Sequence, residues 1–302
     1  MAESDNEIWE KNHRRFFRIG GITIQVDSDL PFNESTFNHK FASFQVDGPG
    51  PDTVRIHHHF SLPKTDVKER GKEYYRKPPW AIYRKEHSWV YTAIPLNDTE
   101  SVVYQYAIFS EDHAVGEIYN RQNQIFLHGN LGALTMFPTD QILIARLLAD
   151  RQGCFLHSCG AVMNGKGLLF VGHSEAKKTT TARMIMPYAE ILCDDRNIVR
   201  HHEDGWKVYG TWSHGDLPDV SSRSAPLHAI LFLEQANENR ITPIKDRREI
   251  AHRLLATVIR PFVTVDWWEK TLRLVEAMTH EVPCYRMEFN KSGDIVGALK
   301  NL

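Results

Sequence analysis

The segment GLLFVGHSEAKKTTTARMI, residues 167–185, decides how the second half of the chain is read. An apolar run ends at Gly172, a polar bend follows, and a Lys- and Thr-rich stretch compatible with a helix comes next. Strand, bend and helix in that order let backbone N–H groups at a helix N-terminus face an anion, with the helix dipole adding to their pull. The pattern G-x-x-x-x-G-K-[ST] can be laid on the segment with Gly172 first, Lys178 as the lysine and Thr179 as the hydroxyl residue. In such a loop the lysine neutralises phosphate charge and the hydroxyl helps to hold Mg²⁺. The candidate nucleotide-binding stretch is therefore Gly172, His173, Ser174, Glu175, Ala176, Lys177, Lys178, Thr179 and Thr180. Two positions depart from the pattern: Lys177 stands where the second glycine belongs, and Glu175 where such loops often carry a third. A side chain forced into a left-handed conformation costs about 1–2 kcal/mol. Glu175 would also bring a carboxylate near phosphate oxygens, whereas Lys177 would add a cation. Alone, the bend reads equally well as a phosphate site and as a plain turn.

Two neighbours shift the balance. The strand-like AEILCDD ends in Asp194 and Asp195, and phosphoryl transfer needs carboxylates at a strand end to hold a metal or orient an attacking hydroxyl. Asp pairs also end solvated turns. His157, in LHSCG, lies on a strand expected to run beside the bend, where a histidine is more often a hydrogen-bonded core residue than a catalytic one. The coincidence of all three carries more weight than any member.

LHSCGAV, GLLFVGHSEAKKTTTARM and AEILCDDRNIV together resemble the catalytic core of the HPr kinase/phosphorylase family and its HPr-kinase-like relatives, which share a fold with phosphoenolpyruvate carboxykinase. The resemblance covers roughly residues 150 to 235. It implies an α/β (α+β overall) fold, with a P-loop nucleotide-binding core preceded by a β-rich N-terminal region, and an ATP- and Mg²⁺-dependent kinase that phosphorylates a hydroxyl. Carried over by position, it makes Lys178 the phosphate-binding lysine, Thr179 and Asp195 the metal partners, Asp194 the base, and His157 the residue that sits against Asp194 and tunes it. Ser174 matches the family's loop serine; Glu175 and Lys177 do not match its glycines. The downstream YGTWSHGDLPDVSSRSAPLHAILFLEQ is closer to the HPr-kinase-like relatives than to true HPr kinases. The acceptor implied is then a Ser or Thr of a peptide or small protein, or a small molecule. The altered loop keeps a second reading open, a catalytically degenerate protein that binds nucleotide or peptide and regulates.

The rest of the chain frames this site. At 302 residues, 42% apolar and 25% charged, it has the composition of an ordinary globular protein with a sizeable core. A formal charge of -2 provides no general basic field for nucleic acid or an anionic membrane. No apolar run approaches the roughly 20 residues of a spanning helix, the N-terminus does not read as a signal peptide, and the four cysteines lack metal or disulfide spacing, so a cytoplasmic protein is expected. Self-association as a homo-oligomer is left open. Residues 16–131 alternate aromatic and β-branched residues with polar ones, predicting a largely antiparallel sheet from FFRIGGITIQVDS, DTVRIHHHFSLP, WAIYRKEHSWVYTAI, SVVYQYAIFS and QIFLHGN. TDQILIARLLADRQG changes to a helical period behind Thr139 or Asp140 as N-cap. The domains expected are 1–150, β-rich and ending in that helix, and 151–302, carrying the kinase-like core. In the latter, Asn164-Gly165 signals a hairpin, APLHAILFLEQ a buried strand, and KDRREIAHRLLATVI and DWWEKTLRLVEAM amphipathic helices.

Other features are weaker. His57 and His59 share one face of a strand and can both reach one ion, but no Cys, Asp or Glu cluster follows at ligand spacing. KERGKEYYRKPPWAIYRK, residues 68–85, interleaves basic and aromatic residues as single-strand nucleic-acid binders do, but Glu69 and Glu73 break the positive stretch; a solvated hairpin rim explains it at least as well, and contact with an acidic peptide or phosphate tail is the better functional use. GTWSHGDLPD, with Trp212, Ser213, His214 and Asp216, is a polar loop expected near the site, and Arg223 is a candidate phosphate clamp.

Overall fold

The computed structural model describes residues 5–63, 70–94, 104–173, 176–260 and 264–302. The chain forms two compact units, Met1–Leu147 and Leu148–Leu302.

The described part of the first unit opens with α1 (Asp5–His13) and continues as β1 (Arg14–Ile19), β2 (Ile22–Ser28), β3 (Gln45–Val46), β4 (Thr53–His59), β5 (Lys72–Lys77), β6 (Trp80–Lys85), β7 (Ser88–Ala93), β8 (Gln105–Ser110) and β9 (Val115–Asn120). Two helices follow, α2 (Gln124–His128) and α3 (Gln141–Ala149). The strands lie in the order β3-β1-β2-β4-β9-β8-β7-β6-β5. The expected antiparallel pairing holds on both flanks, but the middle of the sheet differs, because β2–β4 and β4–β9 run parallel. QIFLHGN, read as a strand, is instead the short helix α2. Its alternation fits either form, and Gly129, at a positive φ of +81° that glycine adopts without strain, ends the helix. Only Phe126 of that turn is buried, while Ile125 and Leu127 face outward.

α3 forms where the helical period predicts it, and it is buried on nearly every face. Of the two expected caps, Thr139 supplies the side chain, its Oγ1 accepting from Gln141 N at 3.3 Å, while Asp140 turns its carboxylate away. The carboxylate is buried and accepts hydrogen bonds from Leu134 N, Thr135 N and Thr135 Oγ1 at 2.8–2.9 Å, tying down the loop before the helix. In the basic hairpin β5–β6, Arg76 pairs with Glu73 at 2.8 Å within the hairpin, and Arg84 pairs with Glu111 just after β8. Residues 68 and 69 of that motif lie outside the described residues.

The second unit contains β10 (Gly153–Met163), β11 (Lys166–Val171), α4 (Lys178–Ile185), β12 (Glu190–Cys193), β13 (Arg196–His202), β14 (Gly205–Tyr209), β15 (Ser224–Gln235), β16 (Arg240–Pro243), α5 (Arg247–Leu255), α6 (Val265–Glu281), β17 (Cys284–Phe289) and α7 (Ile295–Lys300). The predicted β10–β11 hairpin turns at Asn164 and Gly165, both at positive φ, the geometry that Asn-Gly favours. Two long strands hold the sheet together by changing partners. β10 pairs β13 through Gly153–His157 and then β11 through Ser158–Met163. β15 pairs β14 at its start and lies parallel to β11 and β17 further on.

The chain as a whole is therefore a mixed α/β structure with two large sheets. Among the described residues, no helix is long and apolar enough to cross a membrane. All four cysteines are free and buried, and burial pushes the Cys193 thiol up to about 11.

One face of the second sheet buries Phe170, Leu231, Met287 and Phe289 against Ala182 and Ile185 of α4. That contact fixes the helix whose first turn carries Lys178 and Thr179. Ile185 is fully buried, so Ile185→Ala should cost about 2–5 kcal/mol. Urea unfolding followed by circular dichroism measures the loss.

Candidate functional site

β11, β15 and β17 are parallel neighbours, so their carboxyl ends open on one edge of the sheet. Crevices outside such ends are where open α/β sheets bind ligands. The bend from Gly172 into α4 lies here. Beside it is a cleft of about 310 Å³, lined by Lys177, Thr180, Gln235, Asn237, Asn290 and Lys291 among others.

Gly172 is required by close packing, since a Cβ there would stand 2.4 Å from the Ala176 Cβ. The bend closes through Ala176 N donating to His173 O at 2.9 Å. Ser174 and Glu175 lie outside the described residues. Lys177 precedes α4 at φ +65°, ψ +37°, the left-handed conformation that the missing glycine would adopt without strain. Lys178 opens the helix and folds back, its Nζ donating to Gly172 O and His173 O at 3.0 Å each. Burial lowers its ammonium value, and the charges of Asp195 and Asp194 oppose that shift. Thr180 reaches the cleft, and Thr179 points the other way, its Oγ1 donating to Asp194 Oδ2 at 3.1 Å.

The two aspartates face opposite surroundings, as adjacent residues at a strand end do. Asp194 is 2% exposed and accepts from Gly215 N at 2.7 Å and Leu217 N at 3.1 Å in addition to Thr179. Asp195 is drawn alongside β10 by Ser158 N, which donates to its carbonyl at 2.9 Å. There its carboxylate meets His157 Nε2 at 3.1 Å and Arg196 Nε at 3.2 Å. His157 thus sits against Asp195, not against Asp194 as the resemblance implies. The register explains the difference: His157 is opposite Arg196, beside Asp195. Burial would raise the Asp195 carboxyl, but the His157 hydrogen bond and the charges of Arg196, His157 and Lys178 outweigh it and hold it below its ordinary value.

Within the polar loop, Trp212 is buried and the backbone N–H groups of Gly215 and Leu217 are what reach Asp194. A Cβ on Gly215 would lie 3.2 Å from both carboxylate oxygens, a tight contact that a small shift of loop or carboxylate would have to relieve. Arg223 is paired with Glu190 at the start of β12, away from the role of phosphate clamp. The sequence reading missed Asn197, whose Nδ2 donates to Ser158 O at 2.7 Å and Cys193 O at 3.1 Å and joins the strands that carry His157 and the aspartates. Its only sequence signal was a polar residue at the start of an apolar strand.

Fold and site together define a mixed α/β protein with a strand–bend–helix segment beside a pair of aspartates. The chain belongs to the family of the SynChlorMet cassette protein ScmC, which it matches over residues 130–301. It is also similar to the HPr(Ser) kinase/phosphatase of Coxiella burnetii, at 12% identity and a TM-score of 0.23, across 42% of this chain and 92% of that one. That likeness is too slight to assign an activity. No curated protein matches the chain.

Replacing Lys177 by glycine should relieve the left-handed strain, raising the unfolding free energy by up to about 1 kcal/mol after the added freedom of the unfolded chain is offset. Lys177→Val should lower it, and both are read from denaturant midpoints. A pH series tests Asp195. Because folding lowers its value, its stabilisation is fully present above the ordinary 3.8 and is lost as pH falls through the folded value. Asp195→Asn should therefore lose less stability than the parent between neutral pH and pH below 3.8.

Proposed function

We propose that the second unit is a phosphotransferase that uses ATP and Mg²⁺ to phosphorylate a hydroxyl, on a Ser or Thr of a peptide or small protein or on a small molecule. One observation carries this reading: a buried lysine at a helix N-terminus, followed by a hydroxyl 3.1 Å from a carboxylate at the end of a neighbouring strand. These residues fit a metal–nucleotide. The first turn of α4 presents amides that lack intrahelical partners, Lys178 supplies a cation, and Thr179 with Asp194 supplies two oxygen donors suited to a hard divalent ion.

Mg-ATP would supply the phosphoryl group and the metal charge that offsets the phosphates. Lys178 would hold the phosphates, its Nζ now donating to Gly172 O and His173 O. Lys177 and Lys291 add positive charge on the cleft side. Asp195 is the better placed base, because its side chain is 20% exposed while Asp194 is enclosed by three donors. His157 holds Asp195 ionised and oriented to accept the proton of the hydroxyl. The roles of the two aspartates are thus exchanged relative to those the resemblance implies. Positioning and charge neutralisation, not covalent chemistry, do most of the acceleration.

Lys177 and Glu175, standing where glycines belong, favour a second reading, a catalytically degenerate protein that binds nucleotide or peptide and regulates. Calorimetry with Mg-ATP and Mg-ADP separates the two. The phosphotransferase reading expects metal-dependent binding that weakens at least about tenfold in Lys178→Ala. Asp194→Asn should lose the metal dependence, and Asp195→Asn should keep nucleotide binding. No heat with either nucleotide at concentrations on the order of millimolar would favour the degenerate regulator instead.

A further inference from the structure

The three parallel strands in the middle of the first sheet bring together side chains that are far apart in sequence. Register places His57 opposite Glu117 and His59 opposite Tyr119. His57 and His59 stack with ring centroids 4.4 Å apart and planes 14° from parallel. Beyond β2, Asp29 N donates to His58 O at 3.0 Å, which holds the Asp29 carboxylate over both rings. Its Oδ1 is 2.8 Å from His57 Nε2 and its Oδ2 is 3.0 Å from His59 Nδ1. The other nitrogen of His59 meets Glu117 Oε2 at 2.8 Å. The acidic partners that the sequence does not show at ligand spacing are supplied by neighbouring strands.

These contacts do not balance with neutral rings. Each neutral imidazole carries one N–H, so His57 and His59 together can donate to two of the three carboxylate oxygens they face. The third contact needs another positive centre, either a proton or a metal ion.

We propose that Asp29, His57 Nε2 and His59 Nδ1 bind a divalent transition metal ion of the Zn²⁺ class. Glu117 fixes His59 with its proton on Nε2, leaving the Nδ1 lone pair aimed at the Asp29 oxygen. A carboxylate behind a metal-binding imidazole is the usual outer-sphere support of such a ligand. The three donor atoms lie within 4.8 Å of one another. Ligands of a tetrahedral ion at about 2.0 Å stand about 3.3 Å apart; each imidazole nitrogen already lies near that separation from one Asp29 oxygen, 2.8 Å from Oδ1 and 3.0 Å from Oδ2, and closing the set around one ion requires both nitrogens to turn toward a single oxygen. Two imidazoles and one carboxylate select Zn²⁺ or its neighbours over Mg²⁺ and Ca²⁺. The Asp29 side chain is 47% exposed, which leaves a path for entry and a position for water. Once bound, the ion clamps the chain after β2 to β4. The site lies outside residues 130–301, which match the ScmC family, and is independent of the nucleotide reading.

The test uses the full chain, treated with EDTA and titrated with Zn²⁺ by calorimetry, with Co²⁺ absorption reporting nitrogen and oxygen coordination. One equivalent per chain is expected. Affinity should fall beyond detection in the double variant His57→Gln/His59→Gln and about tenfold in Glu117→Gln. His201→Gln, in the second unit, should leave the titration unchanged, and excess Mg²⁺ should not compete. Thermal unfolding in EDTA checks that the variants fold; if the double variant does not, Asp29→Asn, altered at an exposed side chain, decides by the same loss. Absence of binding, or binding undiminished in these variants, overturns the proposal.

Discussion

The buried carboxylate of Asp194 constrains the second unit more than any other group. Burying a charge is costly unless several donors meet it. Here three meet it from two other segments: a hydroxyl in the first turn of α4 and two amides of the loop around Gly215. The helix start, the end of β12 and the loop are therefore fixed relative to one another by a single anion. Removing one donor leaves the others facing a charge that is no longer satisfied, so the loop, the helix and the strand end form one electrostatic unit. Gly215 is part of it through the side chain it lacks.

Lys177 and Lys178 show how backbone and side chain divide the work at the bend. Lys177 accepts a strained backbone and keeps its charge outward in the cleft, whereas Lys178 has a relaxed helical backbone and turns its charge inward onto loop carbonyls. The two cations are held in opposite ways. The first stays exposed to solvent. The second waits in low-dielectric surroundings, where its attraction is strongest.

Local signals were legible where one short stretch determines its own geometry. Asn164-Gly165 dictated a hairpin, the period of TDQILIARLLADRQG a helix, and the missing glycine a left-handed Lys177. Features that depend on partners distant in sequence were not legible. The His157–Asp195 pairing follows from the register of β10 on β13, and the amides on Asp194 come from a loop more than twenty residues away. QIFLHGN failed for a different reason: five residues with one buried phenylalanine satisfy a strand period and a helical turn equally. The parallel centre of the first sheet was hidden because direction is not written into a strand; the connections between strands set it.

β15 belongs to both halves of the second sheet, paired with β14 where it begins and wedged between β11 and β17 where it ends. Such a strand behaves as a splint. A load applied at the β14 edge travels along twelve residues of continuous backbone to the rim of the cleft, so neither edge can shear without dragging the other. The stiffness of the cleft floor is thus set as much by the distant hairpin as by the residues that line it.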